Sequence, residues 1–286
     1  MDNDGDGWLD QEREGARSGI NPMFGEWRQH FDLDAVPYGD GGAKRAAFRH
    51  EVQSRLRNKF FFSGDVQVNI TLYMDIRKIR ETSSTADVDN YAKCLLDALK
   101  GPDGIILDDS QVQSLSIHWL QKLRHKNSSF EVEIKASPDS FCLKPISFYE
   151  MPNSLWYPFS EYLWTDGKPQ PCSKRDLYTG LKIEASMTDA ARKGRHLARQ
   201  LRASDTEAYW KLLPLTSSDV RGFHRSRIDD GFSMFDLKTW RGMMAIWAAE
   251  HPEDAKLFEI LDGMEDNHLV LAKLLGGWIP PNDASE

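Results

Sequence analysis

The densest run of chemically capable side chains lies between Thr85 and Val112, TADVDNYAKCLLDALKGPDGIILDDSQV. Asp87 and Asp89 stand two apart just before an apolar-periodic stretch; an extended backbone there turns both to one side, and a helix N-terminus favours their ionised forms. Asp108 and Asp109 come after the stretch. A helix over Asn90–Lys100 advances roughly 16 Å, and Gly101 to Leu107 can span up to about 23 Å, so the second acidic pair can return beside the first. Clustered carboxylates repel unless neutralised, and hard oxygen ligands suit Mg²⁺ or Mn²⁺ rather than zinc. An ion so held can activate water, orient a phosphodiester and stabilise a leaving oxygen. Lys93, one turn into the helix, adds a cation for the extra negative charge of a pentacovalent phosphate. The same residues also admit a purely structural reading, with Asp89 as a helix cap, Lys93 paired to Asp97 and Asp108-Asp109 in an ordinary turn.

The elements that must position these groups read from periodicity. Ala47, Phe48, Val52, Arg55 and Leu56 predict a helix over Lys44–Asn58. Val66, Val68, Ile70 and Leu72 alternate with polar residues and Tyr73, which predicts a half-buried strand. Arg77 to Thr85 reads as a basic, Ser/Thr-rich loop. Asn90–Lys100 reads as a helix buried through Tyr91, Leu95, Leu96 and Leu99 and stopped by Gly101-Pro102. Leu115, Ile117 and Trp119, then Phe130, Val132 and Ile134, predict two strands joined as a hairpin through Arg124–Ser128. The region ahead of residue 41 reads as an acidic, loop-rich extension. Phe141–Trp164 reads as an aromatic, proline-studded connector, and helical patterns over Thr188–Leu213, Leu237–Trp247 and Ala255–Leu275 make the C-terminal half mainly helical.

The run DVDNYAKCLLDALKG followed by DDSQV resembles the DxDNxxKxxxDALxG…DDxQV signature of the RusA family of Holliday junction resolvases. The resemblance extends more loosely from the Lys44 helix to about Ala136, a third of the chain. It implies an α/β (α+β) fold, a RusA-like mixed sheet with helices in the N-terminal half, and a homodimeric endonuclease that cuts four-way DNA junctions symmetrically with Mg²⁺ or Mn²⁺. Asp87, Asp89, Lys93 and Asp109 are then the catalytic residues, with Asp87, Asp89, Asp108 and Asp109 at the metal and Asp97 adjacent. The helical C-terminal extension has no counterpart in the compact family. With the resemblance covering 41–137 as the endonuclease domain, charge and pattern make 1–40 an acidic, loop-rich extension, 138–187 an aromatic, proline-rich connector and 188–286 a helical region.

Other signals lie outside that core. Arg77, Lys78 and Arg80 are candidate DNA-binding residues, and Lys44, Arg45, Arg49, Arg55 and Arg57 could track phosphates from the preceding helix. Asp2, Asp4, Asp6 and Asp10 match a DxDxDGxxD calcium-loop spacing, but Arg13 stands where the bidentate Glu belongs. The aromatics Phe148, Tyr149, Trp156, Tyr157, Phe159, Tyr162 and Trp164 suit docking of the connector better than base stacking. The histidines form no HExxH or similar cluster.

The net charge of −8 looks hostile to nucleic acid. It is unevenly placed: residues 1–40 carry 3 basic and 10 acidic groups, whereas 41–137 carry 15 and 12. A patch is felt only over about a Debye length of roughly 8–10 Å, so a locally positive surface survives the global balance. A mean hydropathy of −0.55 and an apolar run no longer than Met243–Ala249 exclude a membrane bundle. The acidic N-terminal sequence lacks the marks of a secretory signal, and the three cysteines form no CxxC pair, so a cytoplasmic, nucleoid-associated location is expected. Two readings of other classes stay open. One is an inactive DNA-binding or scaffold protein; the other is a calcium-responsive interaction module.

Overall fold

A computed structural model describes residues 20–21, 25–56, 58–81, 87–122, 128–137, 140–165, 168–213 and 221–266. The chain divides into two compact units. The first holds the residues up to Ile146 together with Ser160–Gln170 and Ser226–Phe232. Its centre is a five-stranded sheet of order β1-β2-β6-β4-β5, formed by β1 (Ile20–Asn21), β2 (Glu26–Phe31), β4 (Val66–Asp75), β5 (Val112–Lys122) and β6 (Ser129–Ala136). The short β3 (Phe60–Phe62) pairs instead with β7 (Phe141–Leu143).

Strand β4 alternates as the sequence predicts: Val66, Val68, Ile70, Leu72 and Met74 are buried on one face. Helices α1 (Gly42–Arg55) and α3 (Val88–Leu99) cover that face through Phe48, Val52, Tyr91, Leu95 and Leu99. Burying each such side chain contributes roughly 1.5–3 kcal/mol, so the covering of the sheet and the placement of α3 are one event. Between β4 and α3 lies the short helix α2 (Ile76–Glu81).

Four local expectations are corrected. The N-terminal extension is not wholly loop, because β2 enters the sheet beside β6 with Trp27, Gln29 and Phe31 buried. Residues 77–81 of the expected Arg77–Thr85 basic loop are helical, within α2. The two strands after the acidic pair form no hairpin: β5 runs parallel to β4, and β6 runs antiparallel to β4 on its other side. The helical crossover through α3 delivers β5 to one edge of β4, which leaves the opposite edge for the returning strand. The aromatic connector is also regular structure, comprising β7, β8 (Ile146–Glu150), β9 (Trp156–Ser160) and the pair β10 (Tyr162–Thr165) and β11 (Lys168–Pro171).

The second unit comprises Ser147–Phe159, 171–225 and the residues from Ser233 onward. It joins a three-stranded sheet, β12 (Ser233–Phe235), β8 and β9, to helices α4 (Lys174–Leu201), α5 (Thr206–Leu212), α6 (Leu237–Glu250) and α7 (Ala255–Asp266). Its core gathers Tyr149, Tyr157, Tyr178, Leu181, Trp240, Trp247 and Leu261. The Trp240 indole N–H donates to the Glu150 carbonyl at 2.8 Å, which satisfies its polar edge inside that core. Much of the aromatic run thus serves packing: Phe148, Tyr149 and Tyr157 are buried. The whole is α+β, with the mainly helical content in the C-terminal half. Among the described residues no helix is long and apolar enough to cross a membrane.

Candidate active site

Helix α3 starts at Asp87, which occupies the N-cap position without a side-chain cap bond. The cap is therefore Asp87 rather than Asp89, and both carboxylates are exposed at a helix end whose dipole favours their charge. From the first turn, Asp89, Lys93, Asp97 and Lys100 recur along one helix face. Asp97 pairs with Lys100 at 3.2 Å. Lys93 is turned elsewhere: its ammonium lies 3.7 Å from the centre of the Tyr38 ring, with the Arg45 guanidinium 4.1 Å from the same centre. The Tyr38 backbone N–H donates to the Asn90 carbonyl at 3.0 Å, tying this loop residue to the first turn of α3. Hydrogen bonding from Arg45 and then Lys93, with their charges, holds the Tyr38 hydroxyl below the usual phenol pKa.

The second acidic pair arrives through a tightly specified return. Gly101 has φ +91°, and a Cβ on Gly104 would meet the Leu99 carbonyl oxygen at 2.3 Å, so glycine is needed at both places. The N–H groups of Ile105 and Ile106 both donate to the Leu99 carbonyl, at 2.7 and 3.1 Å, closing the end of α3. Gln111 is completely buried and fully engaged. Its side-chain amide donates to the carbonyls of Phe62 (2.8 Å) and Gly64 (2.7 Å), while its oxygen accepts from the N–H of Leu107 (2.7 Å) and Asp108 (3.1 Å). The glutamine of the DDSQV run is thus the bracket that holds the acidic turn against β3 and the link from β3 to β4.

Within that turn the two aspartates part company. Asp108 is buried, and its carboxylate accepts from the Ser110 N–H at 3.0 Å to cap the 3₁₀ turn Asp109–Gln111. Asp109 is presented outward, with the Arg227 guanidinium 3.6 Å away. It also acts on Lys100. Burial works against the charge of that ammonium, but Asp109, Asp97 and Asp229 outweigh it and raise the lysine's pKa. Asp109 therefore acts on the C-terminal end of α3, where Lys100 and Asp97 stand, whereas Asp87 and Asp89 begin the helix.

Among the described residues no three His, Cys, Asp or Glu side chains stand together as a metal cage. Mg²⁺ rarely uses such a cage. It keeps several waters and takes one or two carboxylates together with substrate phosphate oxygens. Exposed Asp87 and Asp89 and outward-facing Asp109 are chemically suited to an open site of that kind, whereas Asp108 is engaged with its own backbone.

Arg77 is exposed and pairs with Asp75 at 3.2 Å, and Arg80 is exposed. The Lys78 side chain, Arg57 and the calcium-type residues Asp2, Asp4, Asp6 and Asp10 lie outside the described residues. The other cations of α1 are engaged within the protein: Lys44 with Asp40, Arg45 with Tyr38, Arg49 with Asp229 and Arg55 with Glu51. Tyr38, Lys100, Arg227 and Asp229 carry no mark in the motif itself. Lys100 ends the motif helix, and Tyr38 is an aromatic residue just ahead of the first basic helix, so both had a local signal; Arg227 and Asp229 have none.

Residues 42–135 match the family described as endodeoxyribonuclease RusA. The match spans α1 through nearly all of β6, and so contains α3 and the acidic turn. No curated protein matches the chain.

Proposed function

We propose, on the premise that residues 42–135 are a domain of the endodeoxyribonuclease RusA family, that this protein is a metal-dependent endonuclease that resolves four-way DNA junctions or related branched DNA. The observation that carries the reading is local. Two exposed carboxylates start α3 with the Lys93 ammonium one turn on, and the outward Asp109 is carried by a turn that Gly101, Gly104 and buried Gln111 hold. In this reading one or two of Asp87, Asp89 and Asp109 hold the ion together with phosphate oxygens and water, and Lys93 stabilises the charge gathered on phosphorus. A Mg²⁺ or Mn²⁺ ion bound there supplies Lewis-acid polarisation of the phosphate and an activated water.

Homodimerisation belongs to the same reading, because two active sites related by a two-fold axis suit paired cuts in a two-fold junction. The edge strand β5 supports it: Leu115 and Trp119 lie on the core side of the sheet, in register with Val68 and Leu72, yet are 41 % and 38 % exposed.

The test is cleavage of a labelled four-way junction beside linear duplex and single-stranded DNA, in Mg²⁺ and in Mn²⁺. Paired symmetric cuts that Asp89→Asn reduces at least about a hundredfold are expected. Tight junction binding by folded wild-type protein without any cleavage overturns the catalytic reading in favour of a DNA-binding role.

A further inference from the structure

The segment Ser226–Phe232 lies beyond the family match, yet it packs into the first unit. It is held there by several independent contacts. The Asp229 carboxylate accepts from the Arg49 guanidinium of α1 at 2.7 Å, and Arg49 in turn donates to the Lys100 carbonyl at the end of α3 at 3.3 Å. Ile228 is buried, and the Phe232 ring meets Phe61 edge-on at 5.7 Å. Gly231, with φ +105°, passes so close to Pro102 that a Cβ would stand 3.1 Å from its ring. The segment is therefore a built part of this face, and it carries Arg227 to the acidic turn.

The Arg227 side chain is 57 % exposed and directs one terminal nitrogen, Nη1, at Asp109 Oδ1 from 3.6 Å. A lone ion pair this exposed contributes little to stability, so the anchoring around it is not explained by the pair itself. Guanidinium presents several donors in a planar fork, and that fork matches phosphate oxygens bidentately. It is held beside a carboxylate of the proposed catalytic set and remains exposed to an incoming anion.

We infer that Arg227 contacts the substrate's phosphate backbone next to the acidic site, so that the C-terminal extension completes the DNA-binding surface of the nuclease domain. The inference rests on the nuclease reading only for the identity of the anion, and it concerns binding rather than the chemical step. Asp109 is the partner of the guanidinium in the free protein; a DNA phosphate takes over its outer donors in the complex.

The experiment is fluorescence-anisotropy titration of a labelled four-way junction in EDTA, over a range of salt concentrations, for wild type, Arg227→Ala and Arg227→Lys, with thermal unfolding as a check on folding. Removing one phosphate-binding cation lowers the slope of log affinity against log salt by about one, and we expect about tenfold weaker binding at moderate salt. Arg227→Lys, which keeps the charge without the fork, is expected between the two. Unchanged affinity and slope in Arg227→Ala overturn the inference. So does cleavage by Arg227→Ala that is faster or needs less Mg²⁺, which would make the residue a block on Asp109. If wild type binds DNA through Arg227 but cuts none, the nuclease reading fails and this inference stands; if wild type binds no DNA, both fail.

Discussion

Tyr38 sits under two cations, and that arrangement makes the site's electrostatics measurable without substrate. The Arg45 and Lys93 cations stabilise a phenolate, so the hydroxyl titrates below its ordinary value. Lys93→Met and Arg45→Met should each move the Tyr38 titration up toward the ordinary phenol range, because each cation both hydrogen-bonds the hydroxyl and adds its charge. Difference absorbance against a Tyr38→Phe reference reads both shifts, and a Tyr38 titration indifferent to Lys93 sinks the contact. The ring also steadies Lys93. An exposed cation–π contact is worth roughly 0.5–1 kcal/mol, so Tyr38→Ala should reduce junction cleavage about twofold to fivefold through kcat, whereas Tyr38→Phe keeps the ring and most of the rate. The spacing of Asp89, Lys93 and Asp97 is readable in the chain, but the choice made by Lys93 is not. A helical i,i+4 partner competes with a ring supplied from a loop before α1, and only the fold brings that ring into reach.

At the scale of elements, the return from α3 to the acidic turn leans on a partly buried lysine. Lys144 donates to the Gly104 carbonyl at 2.6 Å and lies 4.3 Å from the centre of the Phe61 ring, while the Asn58 side chain donates to the same carbonyl at 3.2 Å. Burial lowers its pKa to about 8, against a smaller opposing effect of Asp103. Because the folded value is below the unfolded one, the unfolded chain holds this proton more tightly. The destabilisation is complete below about pH 8 and is relieved as pH rises toward the ordinary lysine value of about 10.5. Lys144→Met should therefore gain stability relative to wild type at pH 7 and give up most of that relative gain by about pH 10.5. At about 1.4 kcal/mol per pKa unit the swing is on the order of a few kcal/mol. Urea unfolding at the two pH values measures it; a difference between the proteins that does not vary with pH overturns the assignment.

The same scale shows what pattern could and could not reveal. Strand β4 and helix α3 are legible because each buries a single uninterrupted face. Strand β2 is not, since its buried side is Trp27, Gln29 and Phe31, and the polar middle residue breaks the apolar alternation. Gln29 is tolerated inside because its amide donates to the Arg55 carbonyl at 2.8 Å, a partner no local window contains. The expected hairpin fails for a related reason: two strands consecutive in the chain are separated in the sheet by β4, which precedes both. At the site, spacing leaves the aspartates and Lys93 open to a structural reading, and the motif singles them out together with Gln111. Arg227 approaches Asp109 only because Ile228, Asp229 and Phe232 dock their segment, and those contacts are long-range.

For the whole molecule, β5 poses the question of assembly. A strand whose inward face carries Leu115, Ile117 and Trp119 should be covered, yet α1 and α3 leave Leu115 and Trp119 more than a third exposed, and β5 closes one end of the sheet. Open edges bearing apolar side chains favour pairing with another chain. A stable interface needs about 800 Å² from each partner, organised round a few large anchors, and Trp119 with Leu115 can serve as such a centre. A charge placed there would have to be desolvated twice in a symmetric dimer. Trp119→Lys should accordingly convert a dimer to a monomer in sedimentation equilibrium while leaving the thermal transition of the protomer nearly unchanged. If the proposed acidic residues of one protomer suffice for one cut, the monomer should still nick a junction, but the two cuts should no longer appear together. A wild-type protein that sediments as a monomer at micromolar concentration, or paired cutting that survives Trp119→Lys, would remove β5 from the assembly and leave its exposed apolar face to another partner.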